Sequence, residues 1–179
     1  MNIQHSSRTD RWFTPLDIIL RVRDVLGRID VDPATEPLAN ARIGATYAIS
    51  KDGELPETPW LRDPGTVYCN PPGGKLGNRS MTGLFWQRMM QERDSGLLTH
   101  GVFMCFSIEA LQHTQRLGCP SVGEFPCCIP KSRIAFDRSD GTRGKAPSHS
   151  NLIAYVPGTV NAKSRFVDAF QHLGIIINA

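Results

Sequence analysis

The stretch VYCNPPGGK (residues 67–75) runs an apolar segment into a stiff polar corner. Neither proline can donate a hydrogen bond to a strand ladder, and each biases the residue before it away from helix. The strand predicted at 66–69 therefore stops abruptly and presents Asn70 at its carboxyl end. In open α/β sheets this edge is where ligands bind. The corner thus predicts both a strand end and a functional site.

Strand and helix signals alternate on both sides of this corner. Thr14 as N-cap and Pro15 in the first helical position predict a helix start, and Gly27 predicts its end. The apolar run at 101–106 is typical of a strand covered on both faces. We therefore expect an α/β fold with a mostly parallel sheet and helices on both faces. Further predicted elements are a strand at 29–32, a helix at about 81–93, β segments at 127–129 and 133–136, a strand at 151–156, a helix at 162–173 and a strand at 175–177.

The length of 179 residues predicts a single domain, 1–179. The segment 119–150 breaks the alternation and is rich in Pro, Ser, Arg and Lys, so it is interpreted as a specificity insertion. Within it, residues 131–145 carry five basic side chains against two acidic ones. Such a segment could face phosphates, and an ordinary solvated loop is the alternative.

Composition is that of a soluble globular protein, with 40% apolar residues, 21% charged residues and a net charge of +3. No apolar run reaches the length of a membrane span, and MNIQHSSRTD at the start lacks a signal-peptide core. We expect a cytoplasmic protein with no membrane association. The five cysteines form no CxxC pair, and no metal is expected. A zinc site using Cys119, Cys127 and Cys128 has poor ligand spacing.

The chemistry of the corner suits the binding of an amino group. Asn70 offers a carbonyl acceptor, and the two rings hold the carbonyl of Pro71 in a fixed direction. Two acceptors can grip both hydrogens of an exocyclic amine and stabilise the charge that develops as it attacks an electrophile. Motifs for other chemistries are missing from the sequence, since it contains no GxSxG, GxxxxGK[ST] or GxGxxG.

An Asn-Pro-Pro corner after a strand resembles the [DNS]-P-P-[YFW] motif of amino-methylating DNA methyltransferases. The chain from 12 to about 156 is similar, in order and spacing, to the phage-type DNA N6-adenine methyltransferase (Dam-like) family. The segments that carry this resemblance are Trp12-Phe13-Thr14-Pro15, Asp30-Val31-Asp32-Pro33-Ala34, Asn40-Ala41, Lys51-Asp52-Gly53, Trp60, Asn70-Pro71-Pro72, Phe85-Trp86 and Arg133-Ile134-Ala135-Phe136.

The resemblance implies a Rossmann-like methyltransferase fold that uses S-adenosylmethionine. Asn70 and Pro71 would grip the target amine, with Pro72 fixing the turn. Asp32 and Pro33 would lie beside the methionine part or the ribose of the cofactor, and whether Asp30 or Asp32 is the better ligand stays open. The other residues implied for the cofactor are Phe13, Thr14 and Pro15, which help to hold it, and Asp52, which accepts a hydrogen bond from its adenine amino group.

Two features depart from the family pattern. Gly73 stands where the family has an aromatic residue that stacks on the extruded base, and Asp-Pro-Ala-Thr replaces a glycine-rich cofactor loop. We expect another ring, from Trp86, Phe85 or Phe136, to replace the missing one. DNA contacts are expected from Lys75, Arg79, Lys131, Arg133, Arg143 and His149. Because the chain is small, a second copy or a partner protein could supply part of the target reading.

The sequence therefore predicts transfer of a methyl group from S-adenosylmethionine to N6 of adenine in DNA, by a phage- or prophage-encoded enzyme in the host cytoplasm. The alternative is a methyltransferase-like fold without turnover that binds DNA, a nucleotide or a protein, and Gly73 is the feature that favours it. A third possibility is the same fold acting on RNA or on a protein amide.

Overall fold

The computed structural model describes residues 12–49, 57–138, 140–145 and 149–179. Its strands are β1 (Trp12–Phe13), β2 (Val31–Asp32), β3 (Tyr47–Ala48), β4 (Gly65–Cys69), β5 (Lys75–Leu76), β6 (Arg79–Ser80), β7 (Leu98–Cys105), β8 (Cys127–Pro130), β9 (Asp137–Arg138), β10 (Leu152–Pro157) and β11 (Gly174–Ile177). Its helices are α1 (Leu16–Leu26), α2 (Pro37–Ile43), α3 (Met81–Asp94), α4 (Ala110–His113) and α5 (Lys163–Phe170), with 3-10 turns at Thr114–Arg116 and Val122–Glu124.

Seven strands form one mixed sheet in the order β11-β8-β10-β7-β4-β2-β3. The pairings from β3 through β2 and β4 to β7 are parallel, whereas those of β7 with β10, β10 with β8, and β8 with β11 are antiparallel. The α/β class is confirmed, and the expectation of a mostly parallel sheet is corrected to a half-parallel one. No helix is found in the described residues between β8 and β10, and strands joined without a helical crossover pair antiparallel.

The strand order reverses beside β2. The chain leaves β2 and adds β3 on one side, and it then returns to add β4 on the other side. Ligands bind in open α/β sheets outside the carboxyl ends of the strands that flank such a reversal. The carboxyl ends of β2 and β4 therefore mark the edge of the sheet to be inspected for a site.

Helices cover both faces of the sheet, as expected. One apolar cluster packs α1 and α5 against Tyr68, Val102 and other residues that point to the same face. The other packs α3 against Val67, Phe103 and their neighbours on the opposite face. This division follows from strand geometry, because successive side chains point to alternate faces.

Three local expectations need correction. The helix α1 begins after Pro15, and Thr14 makes no capping hydrogen bond. The β segment expected at 133–136 lies instead at Asp137–Arg138, where β9 pairs with β1. The segment 119–150 is not wholly an insertion, because β8 is a strand of the central sheet. The end of α1 is as predicted, since Gly27 follows it with φ of 76°.

Among the described residues, no helix combines the length and the apolar character needed to cross a membrane.

Candidate functional site

Asn70 lies directly beyond the carboxyl end of β4 and is half-buried. Pro71 is buried behind it, and residues 72–79 are exposed. The chain then forms the small β5–β6 hairpin, which closes where the Met81 amide donates to the Gly74 carbonyl at 3.1 Å. Gly74 has φ of 95°, a conformation that favours glycine. The stiff corner is thus anchored on the strand and opens onto an exposed loop.

A chain of hydrogen bonds through buried side chains fixes the orientation of the Asn70 side chain. Its Nδ2 donates to Thr14 Oγ1 at 3.1 Å, and Thr14 Oγ1 lies 2.8 Å from the Tyr68 hydroxyl. The Tyr68 hydroxyl in turn donates to Met104 Sδ at 3.7 Å. Thr14 is 4% exposed, and Tyr68 and Met104 are fully buried. This arrangement occupies the amide nitrogen of Asn70, and no described residue donates a hydrogen bond to its Oδ1.

Asp32 ends the neighbouring strand β2 and is buried, with 1% exposure. The pairing of Val31 with Val67 places Asp32 level with Tyr68, so both point to the face that also carries α1. Burial raises the pKa of Asp32 to about 7, although the Ala34 amide that donates to its Oδ1 at 2.9 Å acts in the opposite direction. A buried carboxyl group with such a shift, at the edge where ligands bind, is a candidate functional group.

Asp30 has a structural role at the other end of the same strand. Its Oδ2 accepts a hydrogen bond from the Thr66 amide at 2.8 Å, and its Oδ1 pairs with Arg28 Nε at 2.7 Å. These bonds join the entry of β2 to the start of β4, away from Asn70. Of the two aspartates between which the sequence left a choice, Asp32 is therefore the one at the candidate site.

The remaining residues expected at a cofactor site have different surroundings. Pro33 is buried immediately after β2, and Pro15 is buried immediately before α1. Phe13 is 6% exposed and belongs to the apolar cluster that includes α1. Thr14 contacts Asn70, which the sequence had not indicated. Asp52 lies outside the described residues.

Two of the three expected stacking rings are in the core. Phe85 and Trp86 have no exposed surface. The Trp86 ring lies 5.1 Å from that of Phe103, and its Nε1 donates to the Pro120 carbonyl at 2.8 Å. The expectation that either ring stacks on a base is corrected, because the face of α3 that carries them packs on the sheet.

Phe136 is half-buried and lies beside a ring that the sequence reasoning missed. Phe106 follows β7, and its ring centroid is 6.4 Å from that of Phe136 and 4.5 Å from that of His149. A methyl group built on Gly73 would lie 3.9 Å from Phe106 Cδ1. The available sequence signal was that Phe106 is the last residue of the apolar run at 101–106, whose residues up to Cys105 form the end of β7 beside the parallel strand β4.

The basic candidates are divided between the two sides of the site. Lys131 and Arg133 follow β8 and are exposed, and His149 precedes β10 and is exposed. These segments meet where the Ile134 amide donates to Asn151 Oδ1 at 3.1 Å, at the edge where β7 ends. Lys75 and Arg79 are exposed on the β5–β6 hairpin, where Arg79 also donates to Gln87 Oε1 at 2.6 Å.

Arg143 forms ion pairs with two acidic side chains. Its Nε pairs with Asp137 Oδ1 at 2.9 Å, and its guanidinium also contacts Asp17 Oδ1 at 3.1 Å. Asp137 additionally pairs with Arg42 at 3.1 Å. Two carboxylates thus lie beside the half-exposed guanidinium of Arg143, and these pairs attach Asp137 and Arg143 to α1 and α2. The expected contact of Arg143 with phosphates stays a prediction, and a phosphate would compete with these two carboxylates.

The cysteines are free thiols. Cys127 and Cys128 belong to the apolar clusters on opposite faces of the sheet, so they cannot ligate one ion. Burial raises the pKa of Cys127 to about 12 and that of Cys128 to about 11. Within the described residues, no three His, Cys, Asp or Glu side chains converge as a metal site would require.

Comparisons of the chain with family models, with curated proteins and with solved structures find no match.

Proposed function

We propose that this protein transfers a methyl group from S-adenosylmethionine to the N6 amino group of adenine in DNA. The observation that carries the proposal is the fixed amide of Asn70 at the carboxyl end of β4. Because Thr14 holds Nδ2 at 3.1 Å, the amide presents its oxygen to a ligand. An amine hydrogen needs an acceptor, and the amide oxygen is one. If the amide could rotate freely, its NH2 group would face the amine about half of the time and could not accept.

The arrangement of the sheet supports a Rossmann-like methyltransferase fold. The order of strands reverses beside β2, and Asp32 and Asn70 end the two strands that flank this reversal. A nucleoside-containing ligand at this edge would contact the half-buried Asn70 directly and lie next to the buried Asp32. The departure from a classical parallel sheet lies beyond β7, away from this crevice.

The residues around Asp32 fit a cofactor without phosphates. Pro33 has no backbone donor, and the Ala34 amide donates to Asp32 itself, so this loop is a poor phosphate cradle. A buried carboxyl group accepts hydrogen bonds from hydroxyl donors, and its ionised form, with a pKa raised to about 7, attracts positive charge. Asp32 would therefore accept a hydrogen bond from the ribose or stabilise the positively charged methionine part. S-adenosylmethionine supplies a methyl group on a positively charged sulfur.

The corner residues act on the amine. Asn70 Oδ1 and the Pro71 carbonyl accept its two hydrogens, which localises the nitrogen lone pair and stabilises the positive charge that develops during attack on the methyl carbon. The carbon–sulfur bond would break as the nitrogen–carbon bond forms, with S-adenosylhomocysteine as the leaving group, and the excess proton on the nitrogen would then pass to water. Positioning supplies most of the rate, so no strong base is needed at the corner.

Exposed cations at the same edge support a nucleic acid as the substrate. Lys131 and Arg133 lie at the edge that carries Asn70, and Lys75 lies on the hairpin that follows it. Contacts of this kind bind phosphates with little regard to sequence. Residues from a second copy of the chain or from a partner protein could complete the reading of the target.

Methyl transfer from labelled S-adenosylmethionine to unmethylated plasmid DNA tests the proposal, with nucleoside analysis of the product. We expect N6-methyladenine with the wild type and at least a hundred-fold lower rate, on the order of what loss of one transition-state hydrogen bond costs, with Asn70→Ala. Asn161→Ala is the matched control, since Asn161 is exposed between β10 and α5; its Oδ1 accepts from the Lys163 amide at 3.1 Å, so rates are compared per folded molecule. Calorimetric titration with S-adenosylmethionine should give the same affinity for all three proteins.

The outcomes separate the alternatives. Methylation of cytosine N4 would keep the amine-binding corner and refute adenine as the target. Methylation of RNA alone would refute DNA. Cofactor binding without transfer to any nucleic acid, or DNA binding without cofactor, would favour the binding module that Gly73 makes the second candidate.

A further inference from the structure

The aromatic residues of this protein are distributed unevenly. All eight phenylalanines lie in the described part of the chain, and six of them are 6% exposed or less. The two exceptions are Phe106 and Phe136, which are half-buried and contact each other. An apolar ring that stays partly exposed beside a polar corner is available to a planar ligand.

Three separate segments bring rings to this place. Phe106 follows β7, Phe136 precedes β9, and His149 lies two residues before Asn151 at the start of β10. Phe106 is the central ring, with its centroid 4.5 Å from that of His149 and 6.4 Å from that of Phe136. We call these three residues the Phe106 cluster.

The Phe106 cluster lies where a side chain at position 73 would point. A methyl group on Gly73 would be 3.9 Å from Phe106 Cδ1, which is ordinary van der Waals contact, and Phe106 is its nearest neighbour. Gly73 is three residues after Asn70, and its φ is not in the left-handed region. Glycine is thus not required there by the backbone, and its small size leaves the space beside Phe106 open.

We propose that the Phe106 cluster is the surface on which the target nucleobase stacks while its amino group is held at Asn70. This inference rests on the proposed function. Phe106 supplies the ring that position 73 lacks, Phe136 supports it, and the exposed His149 borders the same surface. Stacking on an aromatic ring offsets part of the cost of removing a base from its neighbours.

The test uses a short single-stranded oligodeoxynucleotide that carries 2-aminopurine, whose emission is quenched when it stacks on a ring; because its amino group is on C2 and not C6, this probe reports stacking independently of the amine contact at Asn70. We expect quenching by the wild type, and loss of quenching together with roughly a ten-fold to hundred-fold weaker binding by Phe106→Ala. Phe106→Tyr keeps a ring and should behave as the wild type. Ile175→Ala is the control, since Ile175 is 64% exposed on β11.

A rescue experiment separates stacking from a structural effect of the substitution. In the Phe106→Ala protein, Gly73→Tyr places a ring into the space that Phe106 has left. Restored quenching and a restored KM for unmethylated plasmid DNA support the proposal. Failure of this rescue with a normal melting temperature, or normal quenching by Phe106→Ala alone, would overturn it.

The remaining outcomes distinguish this inference from the proposed function. If Phe106→Ala weakens only the calorimetric affinity for S-adenosylmethionine, the rings hold the cofactor and the stacking proposal is wrong. If the wild type transfers no methyl group but quenches 2-aminopurine through Phe106, the stacking surface stands and the proposed enzymatic function fails.

Discussion

Replacing Thr14 with valine removes one buried hydroxyl while changing the volume of the side chain very little. The hydroxyl oxygen accepts from Asn70 Nδ2 at 3.1 Å and lies 2.8 Å from the Tyr68 hydroxyl. Without it, the Tyr68 hydroxyl retains only the sulfur of Met104, at 3.7 Å, which is a weak acceptor. The substitution therefore affects both stability and the orientation of Asn70.

The expected loss of stability follows from the two hydrogen bonds. Each contributes about 1 kcal/mol net, and a poorly satisfied buried hydroxyl adds a similar cost, so the total is about 2–3 kcal/mol. For a chain of this length each kcal/mol lowers the melting temperature by roughly 2–4 °C. Thermal unfolding of Thr14→Val should therefore occur about 8 °C below the wild type. Thr14→Ser, which keeps the hydroxyl, should lose much less.

The expected effect on catalysis is larger than the effect on binding. Asn70 can then rotate, and a misplacement of about 1 Å at a reacting group costs about a hundred-fold in rate. We expect kcat for methyl transfer to plasmid DNA to fall about ten-fold to a hundred-fold, on the same basis. The calorimetric affinity for S-adenosylmethionine should stay within a factor of about two, well below one kcal/mol.

The opposite pattern would refute this reasoning. Resemblance to the methyltransferase family implies that Thr14 helps to hold the cofactor. If so, Thr14→Val should raise KM for S-adenosylmethionine and leave kcat unchanged. Tyr68→Phe provides a second check, because it interrupts the same chain one step further from Asn70. An unchanged kcat in both variants would show that the hydrogen-bonded chain does not orient the amide.

Two further predictions concern Asp32 and Trp86. Because the folded protein keeps the Asp32 proton up to about pH 7 and an unfolded chain loses it near pH 4, stability should fall as pH rises through this window and level off above it, by about 4 kcal/mol in total. In urea unfolding across this range, Asp32→Asn should be more stable than the wild type above pH 7 and should lose this slope; a parallel pH profile would contradict the assignment. Trp86→Ala should destabilise the fold by about 3–5 kcal/mol, as expected for a core tryptophan. The DNA affinity of the folded fraction of Trp86→Ala should equal that of the wild type. If the variant instead keeps its stability and loses DNA affinity, Trp86 is again a stacking candidate.

The features of the fold that the sequence predicted depend on local chemistry. Pro71 and Pro72 cannot extend a strand, so the end of β4 at Cys69 could be located from the residues alone. Gly27 ends α1 for a similarly local reason, its φ of 76°. Continuous apolar runs correctly indicated strands that are covered on both faces.

The features that the sequence did not predict depend on contacts between distant segments. Thr14 is a residue type that often caps helices, and it precedes Pro15. Its hydroxyl instead forms hydrogen bonds with the side chains of Tyr68 and Asn70, more than fifty residues away. The half-antiparallel sheet reflects where β10 inserts, between β7 and β8, which no local pattern encodes. The ion pairs of Arg143 with Asp17 and Asp137 likewise join distant segments and have no local signal.

Position 73 and position 106 present two solutions to one geometric problem. A ring at position 73 would project from the exposed loop that follows Asn70-Pro71-Pro72. The ring of Phe106 is attached to the end of β7 instead, and its Cδ1 would lie 3.9 Å from a Cβ at position 73. The sheet holds the end of a central strand more firmly than it holds an exposed loop. If the ring at the end of β7 stacks on the base, residues 72–79 do not have to. The β5–β6 hairpin, which carries Lys75, could then contact the nucleic-acid backbone. If Phe106 supplies the stacking ring, a second ring at position 73 is not needed, and the small Gly73 leaves the surface of Phe106 open.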